Sequence, residues 1–175
     1  PDTVAARACA IVERRSESKS MLCSVFIASA RSIAVADPVA RESTRLSGVL
    51  AFVPQTSLDP LQMREWIPNT DYGHHAFALP SYDEFIKQRE KLMPWIEEFS
   101  PWHLATKDDP PVLLFYDSVP APGQPHTDPP HSANFGAGLS EKLKVVGIQH
   151  EFNYTGATGL KHPDLFSFLT SVLGR

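Results

Sequence analysis

The chain of 175 residues predicts an α/β fold built on a parallel β-sheet with flanking helices. Three observations lead to this class. An apolar run over Val112–Tyr116 follows a pair of prolines, and a second strand-like run covers Ile148–Tyr154. Between them, Phe135–Val146 has the periodicity of an amphipathic helix and stops at Gly147. A strand, a helix and a strand in succession are typical of parallel pairing with a helical crossover.

The first third of the chain is harder to interpret. Thr3–Arg15 carries good helix formers at helical spacing and predicts a helix. Met21–Val35 fits either a helix or a strand followed by a helix. Leu46–Val53 is a short apolar run ended by Pro54 and predicts a buried strand. With this strand the sheet has only three secure members, so we expect it to be incomplete.

Local capping signals place the remaining helices. Pro60 follows Asp59 at the start of a short helix within residues 57–67. Ser81 is placed to cap a helix over Tyr82–Lys91, which a further helical turn then extends. Pro163 is expected to start the last helix of the chain.

Composition excludes several classes of function. The formal net charge of −4 argues against a general nucleic-acid binder, and no apolar run has the length of a membrane span. Cys9 and Cys23 form neither a disulfide framework nor a zinc signature. His74 and His75 are adjacent without further ligands at a suitable spacing, so we expect no metal and no cofactor.

Two polar loops carry the candidate chemistry. Asp128 lies in the loop after the strand at residues 112–116, and Asp117 follows that strand directly. His162 lies in the loop after the next strand. Ligands of parallel sheets bind at the carboxyl ends of strands, where both loops are expected. A carboxylate that accepts the Nδ1 proton of an imidazole prepares the imidazole to act as a base.

Several blocks of sequence give this order a family context. Along the chain they are Asp37–Arg45, Gln55–Pro60, Asp108–Leu114, His131–Gly136 and Gly156–His162. In this order they resemble the C-terminal portion of bacterial serine esterases of the α/β-hydrolase fold, close to the lipase and feruloyl-esterase-like group. In that fold the acid of the catalytic triad precedes the histidine along the chain.

The resemblance implies hydrolysis of a small-molecule carboxylic ester by a Ser-His-Asp triad. His162 would be the base and Asp128 the acid, with Asp117 as the rival acid. The whole chain would be a single partial domain, with residues 37–174 family-like, residues 1–36 divergent and residues 57–104 a lid-like helical insertion.

One departure from the family is large. No Gly-x-Ser-x-Gly motif occurs, although the small residues of that motif form the turn that presents the nucleophile. By position the turn should fall near residues 18–24, where Ser20 is the candidate nucleophile. We therefore expect a truncated or inactive version with little or no ester hydrolysis. The alternative is a non-catalytic remnant or partner-binding module that self-associates through the exposed edge of the strand at Leu46–Val53.

Overall fold

A three-stranded parallel sheet lies at the centre of the protein. The computed structural model describes residues 7–10, 26–29 and 46–173. Strands β3 (Val49–Phe52), β4 (Val112–Phe115) and β5 (His150–Asn153) pair in parallel in the order β3-β4-β5. Strands β1 (Arg7–Ala10) and β2 (Phe26–Ser29) form a separate antiparallel pair. The predicted parallel sheet is confirmed, and the chain has the character of an α/β protein.

The β1–β2 pair corrects one prediction. A helix was expected over Thr3–Arg15, but the described residues Arg7–Ala10 form a strand in register with Ser29–Phe26. Helix propensity is a weak preference, and pairing with a second strand overrides it here. For Phe26–Ser29 itself, the strand alternative is the correct one.

Strand β3 has no described hydrogen-bonded partner on its outer side, although β2 contacts it. β4 is the central strand, so β3 and β5 are the edges. The N–H groups of Val49 and Val53 donate to the carbonyls of Pro111 and Phe115 on the β4 side. By the alternation of a strand, the backbone groups of Leu50 point to the outer side. No strand among the described residues pairs with them.

Six α-helices and two short 3₁₀ turns complete the described chain. The α-helices are α1 (Pro60–Trp66), α2 (Tyr82–Lys87), α3 (Arg89–Phe99), α4 (Pro101–Leu104), α5 (Ala133–Val146) and α6 (Leu165–Leu173). The 3₁₀ turns are His74–Phe77 and Pro129–His131. Among the described residues, none of these helices is long and apolar enough to cross a membrane.

Side-chain and glycine caps fix where the helices start and stop. Asp59 accepts from the N–H of Leu61 at the start of α1, and Ser81 accepts from that of Glu84 at the start of α2. Gly147 ends α5 with a φ of 82°, a conformation that favours glycine. The helix predicted over 82–91 divides at Gln88, which separates α2 from α3.

The two faces of the sheet are covered by different elements. The main core lies on the face that packs against α1, α3, α4 and α5, and its fully buried members include Ala51, Leu114, Tyr116 and Phe135. Leu113 points to the opposite face and is also fully buried. On that side Phe168 of α6 is 3% exposed. The sheet is therefore a middle layer between two helical layers.

Helix α5 lies unusually close to its neighbours. A Cβ added at Gly136 would come closer than 3.0 Å to the rings of Tyr116 and Phe152. A Cβ at Gly138 would overlap in the same way with the indole of Trp66. The two glycines are thus required by close approach rather than by backbone conformation.

We expect Gly138→Ala to lower the free energy of unfolding by about 1–2 kcal/mol in urea titrations. Overpacking of the Trp66 contact costs more than the gain in helix propensity returns. Val145→Ala on the same helix is the control, because Val145 is 82% exposed and its replacement should change stability by less than about 0.5 kcal/mol. A Gly138→Ala protein as stable as the wild type would contradict the close approach.

Candidate functional site

The carboxyl ends of β3, β4 and β5 lie at the same end of the parallel strands, and three loops leave from that end. These are residues 53–59, 116–132 and 154–164. The last two hold the sequence-predicted residues Asp117, Asp128 and His162. The candidate nucleophile Ser20 lies outside the described residues.

His162 is held by the strand that precedes its loop. Its Nδ1 contacts Oε1 of Glu151, and its backbone N–H donates to Oε2 of the same carboxylate at 2.9 Å. The ring stacks edge-on against Phe168 at 5.6 Å, and the residue is 5% exposed. Asn153 adds a hydrogen bond of 3.0 Å to the carbonyl of Pro163. The loop is therefore folded back over the face of the sheet that α6 covers.

This geometry sets the chemistry of the His162 ring. A carboxylate is an acceptor, so the Nδ1 position carries the proton in the neutral imidazole. Nε2 is then the nitrogen with a free lone pair. The two contacts from Glu151, one to the ring and one to the backbone, fix both the tautomer and the orientation of the ring.

The carboxylate on His162 is neither of the two that the sequence suggested. Asp128 instead contacts Nδ1 of His131 through Oδ2 at 2.9 Å. Asp117 is exposed, and its carbonyl accepts from the hydroxyl of Thr155 at 2.7 Å. Among the described residues, no hydrogen bond joins His162 to Asp117 or Asp128. Glu151 takes their place because the loop returns over its own strand.

Sequence reasoning missed Glu151 although a signal for it was present. Glu151 is an acidic residue within the strand-like run Ile148–Tyr154. In the structure its side chain retains only 17% exposure. A nearly buried carboxylate needs a hydrogen-bonded or charged partner. An acidic residue inside a predicted strand is therefore a candidate partner for His162, as are the acids of the loops.

A second carboxylate–imidazole pair lies in the loop after β4. Asp128 and His131 are 59% and 38% exposed at their side chains. The backbone N–H of Asp128 donates to Nδ1 of His126 at 3.0 Å, which fixes the main chain at the acid. The loop thus presents an imidazole and a carboxylate together at the surface.

Asn134 braces this loop from the first turn of α5. Its Oδ1 accepts from the N–H of Ala121 at 2.7 Å, and its Nδ2 donates to the carbonyls of Trp66 at 2.8 Å and Ala121 at 3.0 Å. Asn134 is 2% exposed. The N–H of Gly123 also donates to the carbonyl of Trp66, at 2.9 Å. The middle of the loop is therefore tied to the end of α1.

A second amide braces the loop closer to Asp128. Asn69 donates from Nδ2 to the carbonyl of His126 at 2.8 Å, and its Oδ1 accepts from the N–H of His126 at 3.0 Å. Residues 117–132 are rich in proline and polar residues, yet they are fixed at several points. The sequence indicated a long ordered loop, but not which side chains order it.

Asp59 and His103, outside the two pairs, are among the described groups whose pKa differs from its ordinary value. Burial alone would raise the pKa of Asp59, but hydrogen bonds from Arg89 and from the Leu61 N–H outweigh it and hold this pKa below its ordinary value. Burial lowers the pKa of His103, and no described group hydrogen-bonds to its buried Nδ1. Asp59 caps α1 and pairs with Arg89, and neither Asp59 nor His103 belongs to a candidate pair.

Comparison with known proteins finds one distant structural similarity. No protein-family model matches the chain, and no curated protein sequence matches it. One solved structure, described as a truncated form of a carbohydrate esterase from gut microbiota, aligns with 77% of this chain and 43% of its own, at 14% identity and a TM-score of 0.39. The chain therefore spans less than half the length of that structure. The sheet and its helices define the class of this protein as α/β.

We expect Asn134→Ala to lower the free energy of unfolding by about 1–3 kcal/mol, since it removes three hydrogen bonds of a buried side chain and leaves the N–H of Ala121 without its acceptor. Hydrogen exchange at the Ala121 amide should accelerate. Asn69→Ala is the matched control, because its amide bridges exposed groups and should cost only about 0.5–1 kcal/mol. Equal losses in the two variants would contradict the role of Asn134.

The lowered pKa of His103 predicts a dependence of stability on pH. Because the folded protein holds this imidazole neutral, its contribution is complete above the unfolded value of about 6.5 and is lost as pH falls below it toward the folded pKa. The free energies of unfolding of the wild type and of His103→Gln, each from urea titrations, should differ by a constant amount above pH 7. Below pH 7 the free energy of unfolding should fall less steeply with falling pH in the variant than in the wild type. Identical slopes down to pH 5 would refute this assignment.

Proposed function

We propose that the chain belongs to a carboxylic-ester hydrolase of the α/β-hydrolase type, with His162 as the catalytic imidazole. The observation that carries the proposal is the Glu151–His162 contact. It pairs a nearly buried imidazole, through Nδ1, with a carboxylate. The order along the chain adds support, because the assigned acid Glu151 precedes His162, as the acid precedes the histidine in that fold.

The reaction would run through an acyl-enzyme. A serine hydroxyl, with Ser20 as the candidate, attacks the ester carbonyl while Nε2 of His162 takes its proton. The carboxylate of Glu151 stabilises the imidazolium that forms. The imidazolium then gives its proton to the departing alcohol. A water molecule, activated by the same nitrogen, releases the carboxylic acid and restores the serine.

The assignment of the acid follows from the contacts. Glu151 is the carboxylate bonded to His162, so we assign it the role that the sequence suggested for Asp128 or Asp117. Asp128 bonds to a different imidazole, and Asp117 is exposed at the end of β4. The substrate proposed is a small-molecule ester, with no cofactor.

The alternative is a module without catalysis, and one observation favours it. His162 packs against Phe168, so the Glu151 pair also fastens α6 to the sheet. In this reading the pair is structural, and the outer edge of β3 is the functional surface, through which the chain associates with itself. A catalytic role and a structural role of the Glu151–His162 pair predict different results for conservative substitutions at Glu151.

Hydrolysis of p-nitrophenyl butyrate tests the proposal. We expect slow but saturable turnover, because the glycine-rich turn that presents the nucleophile is absent from the sequence. His162→Ala and Ser20→Ala should each abolish this saturable component. Glu151→Gln should lower kcat by at least about tenfold with little change in KM, because the orienting charge is lost.

Glu141→Gln is the matched control, since Glu141 is exposed on α5 and should leave kcat unchanged. Thermal melts of each variant separate lost catalysis from lost folding. Saturable turnover that survives His162→Ala would refute the role of this imidazole. Absence of saturable turnover in the folded wild type would favour the non-catalytic module. Sedimentation would then show whether that module associates with itself.

A further inference from the structure

The seven histidines of the chain all lie in its described part, so their environments can be compared completely. Only His131 and His162 contact a carboxylate, and both do so through Nδ1. The remaining imidazoles contact no carboxylate: His74, His75, His103, His126 and His150. The side chain of His162 is 6% exposed, whereas that of His131 is 38% exposed.

Contact with Asp128 decides which ring nitrogen of His131 is reactive. The carboxylate accepts the Nδ1 proton, so the lone pair of the neutral ring is on Nε2. No described group hydrogen-bonds to this Nε2. The Nδ1 of His126 contacts only backbone atoms, the N–H of Asp128 at 3.0 Å and its carbonyl at 2.8 Å, so no carboxylate orients that ring. His150 has Nε2 engaged by the hydroxyl of Ser140 at 2.9 Å.

The braced loop keeps this pair in position. Asp128 is fixed at its backbone by His126, and His126 is fixed in turn by both atoms of the Asn69 amide. Ser132 follows His131 and caps α5, since its hydroxyl accepts from the N–H of Asn134. The pair therefore sits on a rigid support and is open to solvent.

We propose that His131 is a nucleophilic imidazole that accepts acyl groups from activated carboxylic esters. This site is separate from the serine reaction proposed above and does not depend on it. Asp128 is the positioning residue, because it acts on the ester only through the ring of His131. The substrate class is an ester or related acyl donor with a good leaving group, since the site adds no further group to protonate a poor one.

The step balances without a cofactor. The Nε2 lone pair attacks the acyl carbon, and the bond from that carbon to the leaving oxygen breaks with its electron pair. The leaving group departs as an oxyanion. The acylated ring loses its Nδ1 proton to Asp128 or to water. A water molecule then cleaves the acyl–nitrogen bond, and the carboxylic acid and the free imidazole are regenerated.

Two probes test the site. Release of p-nitrophenolate from p-nitrophenyl acetate gives the rate, which should rise linearly with ester concentration because no binding pocket is required. Limited reaction with diethyl pyrocarbonate, followed by peptide mass spectrometry, reports every histidine in one sample. We expect His131 to be labelled faster than His75, an exposed histidine without a carboxylate that serves as the matched control.

Substitutions separate this site from the serine reaction. His131→Ala should remove the linear component of p-nitrophenolate release. Asp128→Asn should slow labelling of His131 by about two- to fivefold, the effect expected for an exposed charged pair. His162→Ala abolishes the proposed saturable turnover and should not lower the labelling rate of His131. The failure of either proposal is thus distinguishable from the failure of the other.

Labelling of His131 no faster than that of His75 in the wild type would overturn the proposal without reliance on any variant. Unchanged labelling in a folded Asp128→Asn protein would overturn the role of the carboxylate. Both exposed substitutions should leave the thermal melt close to that of the wild type.

Discussion

The close approach of α5 to the sheet is the constraint on which the other features depend. It is possible because Gly136 has no side chain where the rings of Tyr116 and Phe152 meet the helix. Because α5 lies this close to the sheet, the carbonyl of Phe135 accepts a hydrogen bond of 2.7 Å from the hydroxyl of Thr56. The first turn of α5 also carries the amide that braces the loop after β4. One helix thus sets both the core and the position of the candidate site.

Each histidine of the candidate site is paired with an acid close to it in sequence. Glu151 and His162 belong to a strand and the loop that follows it, while Asp128 and His131 are three residues apart in one loop. Short loop closures cost less conformational entropy than long ones. The result is two independent pairs, one nearly buried and one exposed, instead of a single relay between the two loops.

The sequence predicted the parallel sheet because β3 and β4 are apolar runs next to prolines, and because β5 follows a helix that ends at Gly147. It also predicted α5 correctly, since Gly147 ends the helix in a conformation that favours glycine. It failed at Arg7–Ala10, where strand pairing overrides helix propensity. The sequence offers Glu151 as an acid inside a predicted strand, but its contact with His162 depends on how the loop returns over β5. Periodicity reports burial and local structure, but not which side chain a loop finally meets.

The central claim is that Glu151, and not Asp128, orients the imidazole of His162. The most direct test is nitrogen-15 NMR of the histidine side chains, which identifies the protonated nitrogen of each ring. The account predicts a His162 ring protonated at Nδ1, with a slowly exchanging proton that persists in Asp128→Asn and is lost in Glu151→Gln. A His162 ring protonated at Nε2, or an Nδ1 proton that responds to Asp128 and not to Glu151, would contradict it.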